Sequence, residues 1–433
     1  MSPSQYSGGA YPAPTARGPL QASVRLPGSK SLTNRELVLA ALATGPSRLR
    51  APLHARDTEL MAEALRALGA DIQEAPASGE YGADWLVTPG ALRGPATIDV
   101  GLAGTVMRFV PPLAALASGE VRFDGDESAR RRPMSVTIDS LRALGVEVDD
   151  GGTGRLPFTT RGTGAVRGGS IEIDASASSQ FVSGLLLAAP RFAEGLRLRH
   201  TGQRLPSLPH IEMTVACLAA RGVAVDSPEP GVWTVAPQPI EATDAWLEPD
   251  LSNAAPFLAA AVVTGGSVSV TGWPSETTQV GAELPRLLEA FGGRSELADG
   301  VLTVHGGGRI SAVDLDLTIG GELAPTLAGL AALADGPSRL IGIGHLRGHE
   351  TDRLAALATD LGAIGCRVVE LDDGLEIHPG PLHGAPWGAY EDHRMATTGA
   401  LLGLAVPGIV IDDIATTAKT LPEFRDLWER MVT

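Results

Sequence analysis

The chain has 433 residues, with 50 Asp or Glu and 34 Lys or Arg, so its formal net charge is -16. This length suffices for two or three domains or for a repeat architecture with a large core. The acidic balance argues against nucleic acid and anionic membranes as partners. The two cysteines, Cys217 and Cys366, are too few for a disulfide framework or a Cys-rich zinc site. Residues 1–19 lack the basic and apolar regions of a secretory signal, and no apolar run could span a bilayer, so we expect a cytoplasmic protein.

A six-fold repeat follows an N-terminal tail. Residues 1–17, rich in Ser, Gly and Pro, are predicted to be disordered, and an alternating pattern predicts a strand at 20–26. An apolar helix that ends in glycine and leads into a strand then recurs along the chain. Its marker glycines are Gly45, Gly119, Gly195, Gly265, Gly336 and Gly408. Glycine directly after a helix is typical of a left-handed C-cap.

A second helix that ends in glycine follows in the first five repeats. Those glycines are Gly69, Gly145, Gly222, Gly292 and Gly362. The sixth repeat has its second helix at 422–431 but no strand after it, and the strand at 20–26 can supply the missing one. We therefore predict an α/β (α+β) protein of two domains with three repeats each. Residues 28–237 form the middle domain, residues 18–27 with 238–433 form the other, and crossovers near 27–28 and Pro237 act as hinges.

Polar segments precede the first helix of each repeat. They span 27–36, 101–109, 175–182, 249–258, 319–327 and 389–398. Helix N-termini present free N–H groups and the positive end of the dipole, so several starts aimed at one cleft would bind anions. A simpler interpretation, in which Ser, Asp and Gly are only N-caps, stays open for the fourth segment.

Cations cluster in these segments and in related loops. They are Lys30, Arg35, Arg108, Arg132, Arg353, Arg394 and Lys419. Arginine binds carboxylates and phosphates through two hydrogen bonds, whereas lysine is a mobile point charge that can lose its proton when buried. Lys30 and Lys419 are the only lysines of the chain, and we predict that they meet in one cleft. PGSKS lacks the glycines of a P-loop, and His345 and His349 lack further ligands nearby, so no metal site is predicted.

Six motifs in register resemble those of one family, and the resemblance covers residues 20–432. The motifs are LPGSKSLTNR, AGTVMRF, SSQF, RGHETDR, EDHRMA and AKTLPEF. With them the chain resembles the 5-enolpyruvylshikimate-3-phosphate synthases (3-phosphoshikimate 1-carboxyvinyltransferases) of the enolpyruvyl transferase family. The resemblance implies a two-domain inside-out α/β barrel. Each domain would hold three βαβαββ repeats around a pseudo-three-fold axis.

The resemblance also implies an activity in the shikimate pathway, which leads through chorismate to the aromatic amino acids. Enzymes of the family transfer the enolpyruvyl group of phosphoenolpyruvate to the 5-hydroxyl of shikimate 3-phosphate and release phosphate. The reaction is an addition followed by an elimination, through a tetrahedral intermediate. It requires a proton for the methylene carbon, a base for the hydroxyl and cations for two anionic substrates. The family further implies a monomeric glyphosate target that needs no metal or organic cofactor and has only small-molecule partners.

Positions that match the family's motifs imply the site residues. The implied catalytic residues are Lys30, Glu322, Glu350 and His393. Glu322 would be the base for the 5-hydroxyl, and Glu350 with Lys30 would transfer the proton. The implied phosphoenolpyruvate ligands are Lys30, Gly104, Arg132, Gln180, Arg353, Arg394 and Lys419. The implied shikimate 3-phosphate ligands are Lys30, Ser31, Arg35, Ser178, Ser179, Gln180, Ser207, Glu322, His345 and His349.

The chain departs from the family's more familiar pattern, and two other functions stay open. Glu322 stands in place of Asp, and His210, His345 and His349 replace Tyr, Asn and Lys; Leu102 and Phe109 replace Asn and Pro beside the AGTVMR loop. One rival is UDP-N-acetylglucosamine enolpyruvyl transferase, which uses a loop cysteine, whereas both cysteines here are predicted core residues. The other is a non-catalytic anion-binding homologue. The presence of Lys30, Glu322, Glu350 and Lys419 argues against that rival.

Overall fold

A computed structural model describes residues 9–433 of the chain. The strands in this range are β1 (Tyr11–Pro12), β2 (Gln21–Arg25), β3 (Ser47–Arg50), β4 (Asp71–Ala75), β5 (Asp84–Thr88), β6 (Ala96–Asp99), β7 (Ser118–Asp124), β8 (Glu147–Asp149), β9 (Phe158–Thr163), β10 (Gly169–Ile173), β11 (Leu196–His200), β12 (Val232–Val235), β13 (Asp244–Trp246), β14 (Ser267–Thr271), β15 (Gly293–Ala298), β16 (Val301–Gly306), β17 (Asp314–Asp316), β18 (Ser338–Ile341), β19 (Arg367–Leu371), β20 (Gly374–His378), β21 (Pro386–Trp387) and β22 (Val410–Ile411).

The α-helices of the same range are α1 (Lys30–Leu42), α2 (Arg56–Ala67), α3 (Gly104–Ala114), α4 (Glu127–Arg131), α5 (Ser135–Ala143), α6 (Gln180–Ala188), α7 (Leu208–Ala219), α8 (Ala254–Thr264), α9 (Leu284–Ala290), α10 (Ala324–Ala332), α11 (Arg353–Ala363), α12 (His393–Gly403) and α13 (Phe424–Val432). None of these helices is long and apolar enough to cross a membrane.

Two compact units divide the described residues. The middle unit is Pro27–Glu248, and the terminal unit combines residues 9–26 with Pro249–Thr433. The sequence placed the second crossover near Pro237, which the structure corrects. Residues 238–248 belong to the middle unit because β13 pairs in parallel with β3.

The strands form six small sheets that follow one plan. In the second repeat, β6 and β7 are parallel and joined through α3, and β9 pairs antiparallel with both β7 and β8. The middle unit holds sheets β13-β3-β5-β4, β6-β7-β9-β8 and β10-β11-β12, and the terminal unit holds β15-β16-β14-β2, β17-β18-β20-β19 and β1-β22-β21. The predicted βαβαββ repeat therefore recurs with two sheets reduced to three strands.

The first helices of the repeats form the core of each unit. Helices α1, α3 and α6 contact one another in the middle unit, as do α8, α10 and α12 in the terminal unit. All residues of α3, α10 and α12 are buried. A helix that is apolar on all sides must be covered everywhere, and the sheets and second helices supply that cover.

Three predictions about the termini and the glycines are settled here. The strand predicted at 20–26 is confirmed as a strand of the terminal unit, because β2 pairs in parallel with β14. It does not complete the sixth repeat, since the sheet of that repeat takes β1 as its third strand. The disordered tail is wrong for residues 9–17, since Tyr11 is buried and pairs with Ile411, while residues 1–8 lie outside the described range. Gly362 was a wrong marker: it lies inside α11, and Gly365 has the left-handed φ of 111° instead.

Candidate active site

The six first helices all begin within the predicted polar segments, and most candidate residues lie at or just before these starts. In the terminal unit three candidates lie in short 3-10 turns, whereas His349 and Glu350 follow one of these turns and Arg353 begins α11. Glu322 lies in the turn Gly321–Leu323, His345 in Gly344–Gly348, and Lys419 ends Ile414–Lys419. The candidates of this unit therefore come from several connections between elements rather than from one loop.

Glu350 lies between two cations. Lys419 Nζ donates to Glu350 Oε1 over 2.5 Å, and Arg353 Nη2 donates to Glu350 Oε2 over 3.3 Å. The exposed fractions of the Lys419, Glu350 and Arg353 side chains are 5%, 9% and 3%, so this cluster is nearly shielded from water. Charge-assisted hydrogen bonds of this kind are strong where solvent does not compete.

Asp392, which was not among the residues predicted from the sequence, contacts the same cluster through Arg353. Arg353 Nε donates to Asp392 Oδ2 over 2.7 Å and Arg353 Nη2 donates to Oδ1 over 3.1 Å. Asp392 also caps α12, accepting from the backbone N–H of Arg394 over 2.9 Å. Burial alone would lower the pKa of Arg353, but Asp392 and Glu350 outweigh that effect and raise it, so the guanidinium stays charged.

Glu322 lies at a second point of the terminal unit, beside Arg394. Its Oε1 accepts a short hydrogen bond from Ser252 Oγ and is 4.0 Å from Arg394 Nη2. Arg394 Nη1 in turn donates to the carbonyl oxygen of Ser252 over 2.7 Å. Ser252 belongs to the fourth polar segment, for which a capping role alone stayed open. Its hydroxyl instead contacts a predicted catalytic carboxylate.

The three candidate histidines line the same cluster. His349 Nδ1 is 3.4 Å from Arg353 Nη1 and 3.8 Å from Glu350 Oε2. The His345 ring meets the His349 ring edge to face, with centroids 5.7 Å apart. His393 Nδ1 is 3.6 Å from Asp392 Oδ1. Within residues 9–433, no group of three or more His, Cys, Asp or Glu side chains is arranged to hold a metal ion.

In the middle unit Lys30 is the first residue of α1. The helix start is capped by Ser29, whose Oγ accepts from the N–H of Leu32, so the lysine is held at the positive end of the helix. Lys30 Nζ is 3.4 Å from Asp57 Oδ2, and the exposed fractions of the two side chains are 20% and 1%. Asp57 is a second buried carboxylate that the motifs did not reveal.

Gly104, Arg132 and Gln180 come together although 76 positions of sequence separate the first from the last. Gly104 begins α3 and Gln180 begins α6. A methyl group at Gly104 would lie 3.0 Å from Gln180 Oε1 and 3.5 Å from both terminal nitrogens of Arg132. The absence of a side chain at Gly104 therefore leaves the backbone of the α3 start open beside an amide and a guanidinium.

Arg35 is buried and bonded to the protein. It donates through Nε to Thr214 Oγ1 over 2.8 Å and through Nη2 to the His210 carbonyl over 2.8 Å. It also donates to the Ser31 carbonyl over 2.8 Å, and its guanidinium lies over the Phe109 ring. These contacts tie α1 to α3 and α7, a structural role that the motif did not indicate. The predicted ligand role of Arg35 stays a prediction.

The candidate serines lie at the starts of α1, α6 and α7. Ser31 is the second residue of α1, Ser178 Oγ accepts from the Gln180 N–H over 3.2 Å, and Ser179 is the buried N-cap of α6. Ser207, the N-cap of α7, has a left-handed φ of 52°, a strained conformation for serine. Such strain is commonly stored where a side chain must be aimed at a ligand.

The predicted residues are thus divided between the two units, where the contacts above join them into smaller groups. The terminal unit contains Glu322, His345, His349, Glu350, Arg353, His393, Arg394 and Lys419, and the middle unit contains Lys30, Ser31, Arg35, Gly104, Arg132, Ser178, Ser179, Gln180 and Ser207. Lys30 and Lys419 belong to different units, so the prediction that they meet in one cleft stays a prediction.

The α/β repeats thus place cations paired with carboxylates at helix starts and nearby turns, an arrangement typical of enzymes that bind small anions. The model of the EPSP synthase family (3-phosphoshikimate 1-carboxyvinyltransferase) matches residues 14–428. The chain therefore belongs to this family.

A curated relative and two solved structures agree with this membership. The chain is 56% identical over 428 residues to 3-phosphoshikimate 1-carboxyvinyltransferase from Kocuria rhizophila, which covers 98% of this chain and 96% of the relative. EPSP synthase from Acinetobacter baumannii matches the fold with a TM-score of 0.78 at 24% identity, over 98% of each chain. The enolpyruvyl transferase NikO from Streptomyces tendae matches with a TM-score of 0.77 at 20% identity, also over 98% of each chain. These two structures support the two-domain α/β fold.

Proposed function

We propose that this chain transfers the enolpyruvyl group of phosphoenolpyruvate to the 5-hydroxyl of shikimate 3-phosphate and releases phosphate. The support is its membership of the family and its 56% identity to a 3-phosphoshikimate 1-carboxyvinyltransferase. In the reaction, the 5-oxygen bonds to C2 of phosphoenolpyruvate while the methylene carbon gains a proton. The same carbon then loses a proton as the C2–phosphate bond breaks.

The observation that carries the proposal is the placement of Glu350 between Lys419 and Arg353. A carboxyl that is nearly buried and hydrogen-bonded at 2.5 Å to a lysine is suited to exchange a proton with substrate. Arg353 and Lys419, with Arg394 nearby, would bind the phosphate and carboxylate of phosphoenolpyruvate. A single cluster can therefore supply both a proton-transfer group and the charge stabilisation that addition and elimination need.

Glu322 is the proposed base for the 5-hydroxyl. Its carboxylate accepts from Ser252 and lies beside Arg394, both of which stabilise the ionised form that can take a proton. Glutamate is one methylene longer than the more familiar aspartate, and the Ser252 hydroxyl holds the longer side chain in place. The proposed base is therefore held by Ser252, a residue of the fourth polar segment.

The predicted residues of the middle unit would bind the remaining groups. Gly104, Arg132 and Gln180 offer backbone, guanidinium and amide donors to phosphoenolpyruvate. Ser31 would contact the shikimate carboxylate, and Ser178, Ser179 and Ser207 would bind the 3-phosphate through helix-start N–H groups and hydroxyls. Lys30, paired with Asp57, would reach both substrates.

The cysteines argue against the rival that uses UDP-N-acetylglucosamine. Cys217 and Cys366 are both buried, as predicted. Burial raises the pKa of Cys366 to about 11 and that of Cys217 well above its usual value, so neither is a reactive thiolate. We further expect the enzyme to act as a cytoplasmic monomer on these two small molecules.

Phosphate release tests the proposal. Purified protein is mixed with phosphoenolpyruvate and shikimate 3-phosphate together, with each alone, and with phosphoenolpyruvate plus UDP-N-acetylglucosamine. We expect release only in the first mixture. Release that requires the UDP-sugar would support the rival instead, and no release in any mixture would favour a non-catalytic anion-binding protein.

A further inference from the structure

The loop before α12 has a strained backbone. Tyr390 and Glu391 are consecutive and both left-handed, with φ of 54° and 56°, although neither is glycine. Side chains disfavour this conformation, so the surroundings must impose it. The strained pair directly precedes Asp392, which begins the helix that carries His393 and Arg394.

Asp360 of α11 holds this loop through two hydrogen bonds. Asp360 Oδ2 accepts from the Gly388 N–H over 3.1 Å, and Asp360 Oδ1 accepts from the Tyr390 hydroxyl over 3.0 Å. Between these two anchors, the Ala389 N–H donates to Asp412 Oδ1 over 2.8 Å. Gly388, Ala389 and Tyr390 therefore each donate a hydrogen bond to the carboxylate of Asp360 or Asp412.

The fit of Tyr390 is specific. A methyl group at Gly388 would lie 2.5 Å from Tyr390 Cε2, so the ring occupies the space that any side chain at position 388 would need. The ring is partly exposed, at 38%, while its hydroxyl reaches Asp360, whose exposed fraction is 5%. Tyr390 thus folds back over its own loop to reach α11.

Helix α11 contacts the loop at two points. Arg353 and Asp360 are seven residues apart, close to two helical turns, so they share one face of the helix. Arg353 donates two hydrogen bonds to Asp392 directly after the strained pair. Asp360 accepts hydrogen bonds from Gly388, before the pair, and from Tyr390, its first residue. The strained segment is therefore clamped on both sides by the helix that supplies a proposed substrate cation.

The buried position of Asp360 comes at a cost in free energy. Burial raises the pKa of Asp360 to about 6, and the neighbouring Asp412 contributes in the same direction, while the hydrogen bonds from Tyr390 and Gly388 oppose the rise. An apolar residue would fill the same place without this penalty. The presence of a carboxyl group at position 360 is thus explained by its hydrogen bonds to the loop rather than by packing.

We propose that Asp360, with Tyr390 as its partner, is a positioning residue that sets the start of α12 and thereby the proposed phosphoenolpyruvate contact at Arg394. This inference rests on the proposed function. Asp360 acts through the loop, because both of its oxygens are hydrogen-bonded to residues of the loop. Loosening the loop should move Arg394 and its neighbours by a fraction of an ångström, which is enough to weaken binding of one substrate.

The test compares Asp360→Asn and Tyr390→Phe with the unmodified enzyme. Each variant removes one charge or one hydroxyl and keeps the shape of the side chain. We expect KM for phosphoenolpyruvate to rise about tenfold, while KM for shikimate 3-phosphate stays within about twofold. General loss of stability would lower the active fraction, and so kcat, without separating the two KM values. The double variant should be no worse than the poorer single variant, because both changes break one tether.

Asp335→Asn is the matched control. Asp335 also accepts from a backbone N–H, that of Ala312 over 3.1 Å, and pairs with Arg309 in the same unit. We expect both of its KM values to match those of the unmodified enzyme. An unchanged KM for phosphoenolpyruvate in Tyr390→Phe would overturn the inference even if Asp360→Asn failed to fold. No phosphate release by the unmodified protein would instead overturn the proposed function, and this inference with it.

Discussion

Asp392 caps α12 and pairs with Arg353, and replacing it with asparagine tests the second contact while keeping the first. Asparagine is as good an N-cap as aspartate, so the bond to the Arg394 N–H can persist. The carboxylate that faces Arg353 loses its charge, however, and the exposed fractions of the Arg353 and Asp392 side chains are only 3% and 0%. Removing one partner of a buried ion pair costs about 3–5 kcal/mol. We expect about 3 kcal/mol, because Glu350 remains 3.3 Å from Arg353 as a second anion.

Urea unfolding of three variants checks this magnitude. Asp392→Ala should cost about 1 kcal/mol more than Asp392→Asn, since it also removes the cap. The matched control is Asp352→Asn at the start of α11. Asp352 likewise accepts from a backbone N–H and pairs with Arg347, but that pair is at the surface, with exposed fractions of 40% and 33%. We expect the control to cost under about 1 kcal/mol. Equal free energies of unfolding for Asp392→Asn and Asp352→Asn would refute the reasoning from burial.

Four further substitutions have distinct expected outcomes. Lys30→Ala and Lys419→Ala should each lower kcat at least about a hundredfold. Lys30→Ala should leave the thermal unfolding midpoint nearly unchanged, and full activity in that variant would remove Lys30 from the site. Glu322→Gln should lower kcat by about a hundredfold or more with little change in thermal unfolding, since a base is lost while the shape is kept; wild-type kcat would exclude it as the base. Burial alone would lower the pKa of His54, but Glu59 and the Ala83 carbonyl raise it. Its stabilising contribution is therefore complete below about pH 6.5 and is lost as pH rises through the folded-state pKa. A His54→Gln variant whose stability falls with pH over this range as steeply as that of the unmodified protein would contradict this assignment.

Local patterns predicted the repeat and the helix starts. A polar cap followed by an apolar run identifies a helix start without any tertiary information, and all six first helices begin where the sequence placed them. Counting elements assigned the strand at 20–26 to the terminal unit, and β2 confirmed that assignment. It did not confirm the link to the sixth repeat, because β2 pairs with β14 of the fourth repeat. The helix starts and the order of the elements depend on residues that are close in sequence, so both could be predicted from the sequence alone.

Features that depend on distant partners could not be read. Strand β1 was missed because Tyr11 lies in a Pro-rich and Gly-rich tail, and its partners Ile411 and Arg425 are distant in sequence. The boundary at Pro237 was misplaced because β13 and its partner β3 lie near opposite ends of the middle unit in sequence. Asp392 was overlooked because its local signal is that of an N-cap, whereas its partner Arg353 lies 39 residues earlier.

Product analysis is the most direct test of the proposed reaction. The purified protein is incubated with phosphoenolpyruvate and shikimate 3-phosphate, and the phosphate and the organic product are both quantified. We expect one carboxyvinyl ether of shikimate 3-phosphate for each phosphate released. Phosphate released with pyruvate and no ether, or an ether formed only on UDP-N-acetylglucosamine, would contradict the proposed function.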